Sequence, residues 1–435
     1  MPPMTQEEAK EAKEAREAPQ SAMQSETHST ANADSSAEER LPVSVITGFL
    51  GSGKTTLLNR LLQHPDLSDA AVIVNEFGEI GLDHSLIESA NENTILLSSG
   101  CLCCTVRGDL VNTLRDLSVK RYRGEVPPFR RVVIETTGLA DPAPILHTLM
   151  SVPVVRRYAL NTVVTTVDAV LGVGTMDAQP ESVKQAAVAD RIVITKHDLV
   201  DEAAVQTLRQ RLYRLNPAAE IHFSGSATLR PDHLFNSVVF DAAARSEAVR
   251  DWLRAEQYEQ AQHLEHPEHP EHLEHSAHPG QHEHHAHHDH AHAEAACDHP
   301  QHGQAGHQCA TDTAALRHDQ RIHSFCLRYR EPFDWPEVAA WLDSLVSARG
   351  EDLLRVKGLI HVRGNERPVV IHAVQHLFHP PVQLPQWPAL SDHATEGLRD
   401  SRIVFITRDI SRGEVEDALR GVRAALAERS ASASV

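Results

Sequence analysis

Gly48-Phe49-Leu50-Gly51-Ser52-Gly53-Lys54-Thr55 restricts what this chain can fold into more than any other segment. The eight residues match the pattern G-x-x-x-x-G-K-[ST]. They follow the β-branched run Val43-Ser44-Val45-Ile46 and open a stretch, Thr55 to Gln63, that reads as a helix. Strand, loop and helix in that order are the context a phosphate-cradling loop requires. Glycines let backbone N–H groups turn inward around phosphate oxygens without a Cβ clash, and the following helix adds its positive end. Gly48, Gly51, Ser52, Gly53, Lys54, Thr55 and Thr56 are therefore the expected nucleotide contacts. Lys54 would bridge the terminal phosphates, and the Thr55 hydroxyl would ligate Mg²⁺.

Further apolar runs at Ala71–Val74, Thr94–Leu97, Arg131–Ile134, Asn161–Val167 and Arg191–Ile194 are separated by helical or loop material. Strands alternating with helices predict an α/β domain with a doubly wound, mostly parallel sheet covered on both faces. It is expected over residues 41–240, as a P-loop nucleotide hydrolase. Residues 1–40, rich in Ala, Glu, Ser and Gln, offer no apolar face and read as a disordered tail. Residues 241–320 read as a low-complexity, His-rich linker. From 321 to 410, strand-like runs at His323–Leu327, Leu359–Val362, Val369–Ile371 and Ile403–Thr407 flank a helical stretch, Pro336–Ser347, and predict a smaller α+β domain. A C-terminal helix and frayed tail are expected over 411–435.

Two later segments bear on the nucleotide. Thr195-Lys196-His197-Asp198 follows the run Arg191–Ile194 and matches the [NT]-K-x-D pattern. A carboxylate at Asp198 can accept hydrogen bonds from guanine N1–H and the 2-amino group, and adenine has no such donor pair. Phe223-Ser224-Gly225-Ser226 is a second candidate for the base, or an ordinary turn. The run Arg131–Ile134 ends in Glu135-Thr136-Thr137-Gly138. Glu135 can position Mg²⁺ or the attacking water, and Gly138 can lend its N–H to the γ-phosphate. Lys54, Glu135 and Gly138 are the expected catalytic set.

Three of the six cysteines crowd into Gly100-Cys101-Leu102-Cys103-Cys104. Neighbours that close do not readily pair with one another, so reduced thiols in a cytoplasmic protein are expected. Zn²⁺ favours thiolate, imidazole and carboxylate in a tetrahedral set, and three sulfurs leave the fourth position open. Glu76, in Asn75-Glu76-Phe77-Gly78-Glu79-Ile80-Gly81-Leu82-Asp83, is a candidate for that position or for a Mg²⁺ contact. A redox pair or buried apolar cysteines are the alternative readings. Sixteen of the thirty histidines fall between His263 and His307, where imidazoles can act as a weak multi-site metal reservoir or as an inert solvated linker. Net charge is -19 with His neutral, which argues against a nucleic-acid partner, because phosphate contacts need clustered Lys and Arg. Neither a membrane-spanning apolar run nor a secretory pattern is evident, so no membrane partner is expected.

Taken in order, GFLGSGKTT, NEFGEIGLD, GCLCCTVRGDL, ETTGLADPAPI and TKHDL resemble the CobW-type GTPases, relatives of the nickel-insertion GTPases for urease and hydrogenase. The resemblance covers roughly residues 41–240, and the segment from 321 resembles the family's C-terminal domain. It implies GTP hydrolysis, a Cys-x-Cys-Cys metal site coupled to the nucleotide, and a metallochaperone or cofactor-insertion role. Thr195 stands where the family pattern carries Asn. The expected activity is that of a GTP-hydrolysing metallochaperone that binds Zn²⁺ (alternatively Co²⁺ or Ni²⁺) and passes it to client metalloproteins, with a homodimer as an allowed assembly. A cobalt-handling role in cobalamin synthesis and a non-catalytic metal buffer remain the alternatives.

Overall fold

The computed structural model describes residues 40–75, 95–99, 106–226, 228–235, 253–255, 257–258, 321–388 and 399–433. Among these residues seven strands form the first sheet: β1 (Leu41–Gly48), β2 (Ala70–Asn75), β3 (Ile95–Ser99), β4 (Arg131–Glu135), β5 (Tyr158–Asp168), β6 (Arg191–Thr195) and β7 (Glu220–Phe223). Their order is β3-β2-β4-β1-β5-β6-β7, and every pairing is parallel. The central strands are apolar on both faces, as a sheet covered by helices on each side demands. Along β1, Val43 and Val45 pack into one layer with α2 (Val106–Arg123) and α3 (Ala143–Met150). Ile46, one residue on, joins the opposite layer with α1 (Lys54–Leu62). This is the period-two alternation of a strand feeding two cores.

The topology places the site. From β1 the chain moves outward to β2 and β3, returns to β4 beside β1, and then crosses to β5 on the other side. The neighbours β1 and β4 therefore send their following segments in opposite directions. In open parallel sheets a ligand binds at that switch point, outside the carboxyl ends of the strands. Ile46 pairs with Glu135 and Gly48 with Thr166, so β1, β4 and β5 end together at one edge. The fold expected from the sequence is the one observed.

Among the described residues the second domain is built on an antiparallel sheet of six strands: β8 (Ile322–Tyr329), β9 (Arg355–Ile360), β10 (Val369–Val374), β11 (Leu377–Phe378), β12 (Val382–Gln383) and β13 (Ser401–Arg408). α8 (Trp335–Arg349) and α9 (Arg412–Ala433) cover one face around Phe325, Leu327, Trp341, Ile403 and Phe405. The other face, with Cys326, Leu359, Val370, Val404 and Ile406, packs on the first domain at Ile192, Leu208 and Leu212. Between them lie α4 (Gly172–Ala178), α5 (Pro180–Ala187) and α6 (Glu202–Leu215), and α7 (Pro231–Phe235) closes the far layer.

An ion cluster crosses this interface. Asp190, just before β6, accepts from Arg355 Nη2 at 2.8 Å and lies 2.7 Å from Lys357 Nζ; its other oxygen accepts from the Val163 amide at 2.9 Å. All three charged side chains are buried. Burial alone would raise the Asp190 carboxyl, but Arg355, Lys357 and the Val163 amide outweigh it and hold it well below the usual carboxylate range. Burial, together with repulsion from Arg355, pulls Lys357 from 10.5 down to about 8 in spite of Asp190. The unfolded chain keeps that proton up to 10.5, so between pH 8 and 10.5 unfolding takes up a proton and stability rises with pH. Chemical denaturation should show this rise in the wild type and lose it in Lys357→Met. Tyr258, whose phenol burial pushes up, affects both proteins alike. An identical pH slope in the variant would refute the assignment.

Candidate nucleotide site

The loop between β1 and α1 is shaped by glycines where a side chain cannot go. Gly48 has a φ of +141°, and a Cβ there would sit 2.3 Å from Thr166 Oγ1 and 2.4 Å from the Thr166 carbonyl oxygen. Gly53, at φ +87°, caps α1 in the left-handed region. The loop is fastened from behind by β5 and β6. Ser52 and Thr166 share a hydroxyl hydrogen bond of 2.6 Å, and Thr195 Oγ1 donates to the Ser52 carbonyl at 2.8 Å. Lys196 Nζ donates to the Gly51 carbonyl at 2.9 Å and pairs with Asp168 at 2.5 Å. The Lys196 backbone is itself left-handed, at φ +54°. Thr195 and Lys196, the first two residues of the [NT]-K-x-D match, thus buttress the phosphate loop.

On the β4 side, Thr55 Oγ1 donates to Glu135 Oε1 at 2.6 Å. A hydroxyl and a carboxylate converging beside a Gly-rich loop are hard oxygen donors, so this pair fits a small divalent cation such as Mg²⁺. Lys54 is buried, with Nζ 3.3 Å from the Phe49 carbonyl. The loop after β4 is tied to β1, with Thr136 N donating to the Ile46 carbonyl at 2.9 Å and Thr136 Oγ1 to Thr47 Oγ1 at 2.9 Å. Two residues on, a Cβ on Gly138 would lie 2.6 Å from both Cα and N of Leu50. Gly138 therefore rests directly on the tip of the phosphate loop, and only glycine permits that approach.

Gly48, Gly51, Ser52, Gly53, Lys54, Thr55, Glu135, Gly138, Thr195 and Lys196 are thus brought together. Thr56 and Asp198 are exposed, Thr56 on α1 and Asp198 in the short turn His197–Leu199 that follows β6. The His197 ring lies 4.9 Å from that of Phe223, and a Cβ on Gly225 would be 3.0 Å from it, so the Phe223–Ser226 turn adjoins the Thr195–Asp198 turn. Cys101, Cys103, Cys104 and Glu76 lie outside the described residues, as does the histidine block. The strands that lead into them, β3 ending at Ser99 and β2 ending at Asn75, run parallel to β1 and finish at the same edge as the phosphate loop.

Sequence reasoning missed Thr166 and Asp168, which steady the loop from β5. Their signal was a polar ending, Thr165-Thr166-Val167-Asp168, on an otherwise apolar strand. Among the second domain's histidines, His372 and His379 are buried, and burial draws His379 down to about 4 and His372 well below its ordinary value. Among the described residues, no three His, Cys, Asp or Glu side chains group so as to hold a metal ion. Also among these residues, no helix is long and apolar enough to cross a membrane.

A glycine-rich loop at the switch point of a parallel sheet, with a carboxylate alongside on the neighbouring strand, defines a P-loop nucleotide-binding protein. Residues 42–223 match the family profile described as the CobW/HypB/UreG nucleotide-binding domain, and residues 322–423 match the cobalamin synthesis protein cobW C-terminal domain. The chain thus carries a CobW/HypB/UreG-type nucleotide-binding domain followed by a CobW-type C-terminal domain. It is 39% identical over 198 residues to the zinc chaperone YjiA of Escherichia coli (strain K12), covering 45% of this chain and 61% of that protein. It is 31% identical over 247 residues to the zinc-regulated GTPase metalloprotein activator 1 of Dictyostelium discoideum, covering 48% of this chain and 51% of that one. The matched region is thus less than two thirds of each curated relative. The crystal structure of Zn(II)-bound YjiA GTPase from E. coli is similar with a TM-score of 0.57 at 25% identity, covering 88% of this chain and 99% of that chain.

Proposed function

We propose that this chain hydrolyses GTP and uses the cycle to gate a thiolate metal site, from which zinc passes to client metalloproteins. The observation that carries the first half is the 2.6 Å contact of Thr55 with Glu135 at the switch point, beside a loop whose glycines leave room for phosphate. In this reading Lys54 swings from the Phe49 carbonyl to the terminal phosphates. Thr55 and Glu135 would hold Mg²⁺, which would supply positive charge to offset that of the phosphates. The Gly138 N–H faces the γ-phosphate, and Asp198 reads the guanine edge. Cys101, Cys103 and Cys104, with Glu76 as the fourth donor, hold zinc as cargo.

The names of the relatives support zinc over cobalt or nickel: two are called a zinc chaperone and a zinc-regulated GTPase. The parallel run of β2 and β3 supports the coupling, since both strands end where the phosphate loop begins. Free thiols in this role need a reducing compartment, so we place the protein in the cytoplasm. Steady-state turnover tests the enzymatic part. GTP should be hydrolysed with Mg²⁺ present, and ATP at least about 100-fold less efficiently, because adenine leaves the Asp198 carboxylate unpaired. Equal turnover of both would remove the guanine assignment. No turnover of either would leave a metal buffer.

A further inference from the structure

The loop that carries Gly138 is gripped by α5. Lys184 Nζ pairs with Asp141 Oδ2 at 2.8 Å, and the other Asp141 oxygen accepts from the Ala143 amide at 2.9 Å. Gln185 Nε2 donates to the Ala140 carbonyl at 3.0 Å and more loosely to the Gly138 carbonyl at 3.4 Å. Gln185 is fully buried, and its backbone carbonyl accepts from Thr165 Oγ1 at 2.7 Å. Its Oε1 is buried without a hydrogen-bond partner. Turning the amide over would not help, because both loop groups it faces are carbonyls and need a donor. An orphaned acceptor costs free energy, and a rearranged loop that presents an N–H would relieve it.

One turn further along, about 5 Å away, the end of the same helix is held from both domains, by Asn216 at the end of α6 and by Arg355 of β9. The carbonyls of Ala186, Ala187 and Ala189 accept from Asn216 Nδ2 at 3.1, 3.1 and 2.9 Å. The remaining carbonyl, that of Val188, accepts from Arg355 of β9. Arg355 and Lys357 then hold Asp190. The helix that follows the Gly138 loop is fastened to the same domain, with His147 Nε2 donating to the Val374 carbonyl of β10 at 2.8 Å. Elements on both sides of the loop are thus hydrogen-bonded to adjacent strands of one sheet.

We propose that Lys184 and Gln185 are positioning residues that latch the Gly138 loop, and that α5 carries the loop's nucleotide-dependent state into the C-terminal domain through Arg355 and Lys357. This rests on the reading that Gly138 meets a γ-phosphate. GTP and GDP then differ at the loop, and a loop shift changes the Gln185 and Lys184 bonds. A short helix with its end carbonyls taken moves as a unit, so the change reaches β9. The second domain becomes a reader of the nucleotide, and a client docked on it senses GTP without touching it. Such coupling exists only to the extent that the two nucleotides favour different states of the latch.

Hydrogen exchange of the full chain, followed by mass spectrometry at saturating GDP or saturating non-hydrolysable GTP analogue, tests this. In the wild type, amides of Arg355–Ile360 and Val369–Val374 should exchange at least about fivefold differently between the two nucleotides, the lower end of ordinary coupling. Lys184→Met, on a half-buried face, and Gln185→Met should each reduce that difference, and the double variant should abolish it. A merely structural role would change protection in both nucleotide states alike and leave the difference intact. That result, or no difference in a wild type that binds both nucleotides, overturns the proposal. Calorimetry on the same wild-type sample keeps the two readings apart, because absence of GTP binding sinks the nucleotide reading itself.

Discussion

Lys54→Ala should reduce GTP turnover by about 100- to 1000-fold, the cost of removing one charge-stabilising donor from a preorganised site. The side chain is buried at the start of α1, between a loop that opens toward phosphate and a carbonyl, Phe49, that holds its amine at 3.3 Å. Removing it should leave the fold intact. The loop's own fastenings run through the Ser52 hydroxyl and carbonyl and the Gly51 carbonyl, to Thr166, Thr195 and Lys196. Phosphate release under single-turnover conditions measures the loss, and unchanged thermal unfolding shows that it is not a folding defect. Turnover within tenfold of wild type would mean that the terminal phosphates are held by other groups.

Asp190→Ala should lower the stability of the chain by about 3–5 kcal/mol, the range for breaking a buried ion cluster by removing one member. The variant strands Arg355 and Lys357 in a site where they are 2% and 4% exposed, and leaves the Val163 amide without its acceptor. Equilibrium denaturation measures the loss. Adding Lys357→Met to Asp190→Ala should recover part of it, since the second change removes one of the uncompensated charges. A loss below about 1 kcal/mol would indicate that water reaches the cluster.

The nucleotide half of the molecule was legible because its physics is local. A β-branched strand, glycines where φ must be positive and a lysine at the helix start are contiguous, so Gly48 to Thr55 announces its own geometry. Glu135 was legible for a similar reason, as a carboxylate ending an apolar strand. The join between domains was not. Arg355-Val356-Lys357 alternates charge with an apolar residue, the usual mark of a strand with one solvated face, and the sequence reading began the strand only at Leu359. Both cations are buried because Asp190, far away in the chain, waits for them. Gln185 was hidden in the same way, as one polar residue in a short helix whose partners are carbonyls some forty-five positions earlier. Thr195 and Lys196 were found by their [NT]-K-x-D pattern, but the bonds by which their side chains brace the phosphate loop join segments far apart in the chain and were not legible.

The link between nucleotide and metal separates a metallochaperone from a GTPase that merely carries thiols. Competitive titration of zinc against a chromophoric chelator, on the full chain with a non-hydrolysable GTP analogue, with GDP and without nucleotide, measures it directly. Zinc should bind tightest in the GTP state, by about 5- to 150-fold over GDP, with GTP affinity raised by the same factor when zinc is bound. Replacement of Cys101, Cys103 and Cys104 by serine should erase that preference and leave only the weak nucleotide-independent binding of the histidine block. Equal zinc affinity in all three states would contradict the account, whatever the rate of GTP hydrolysis.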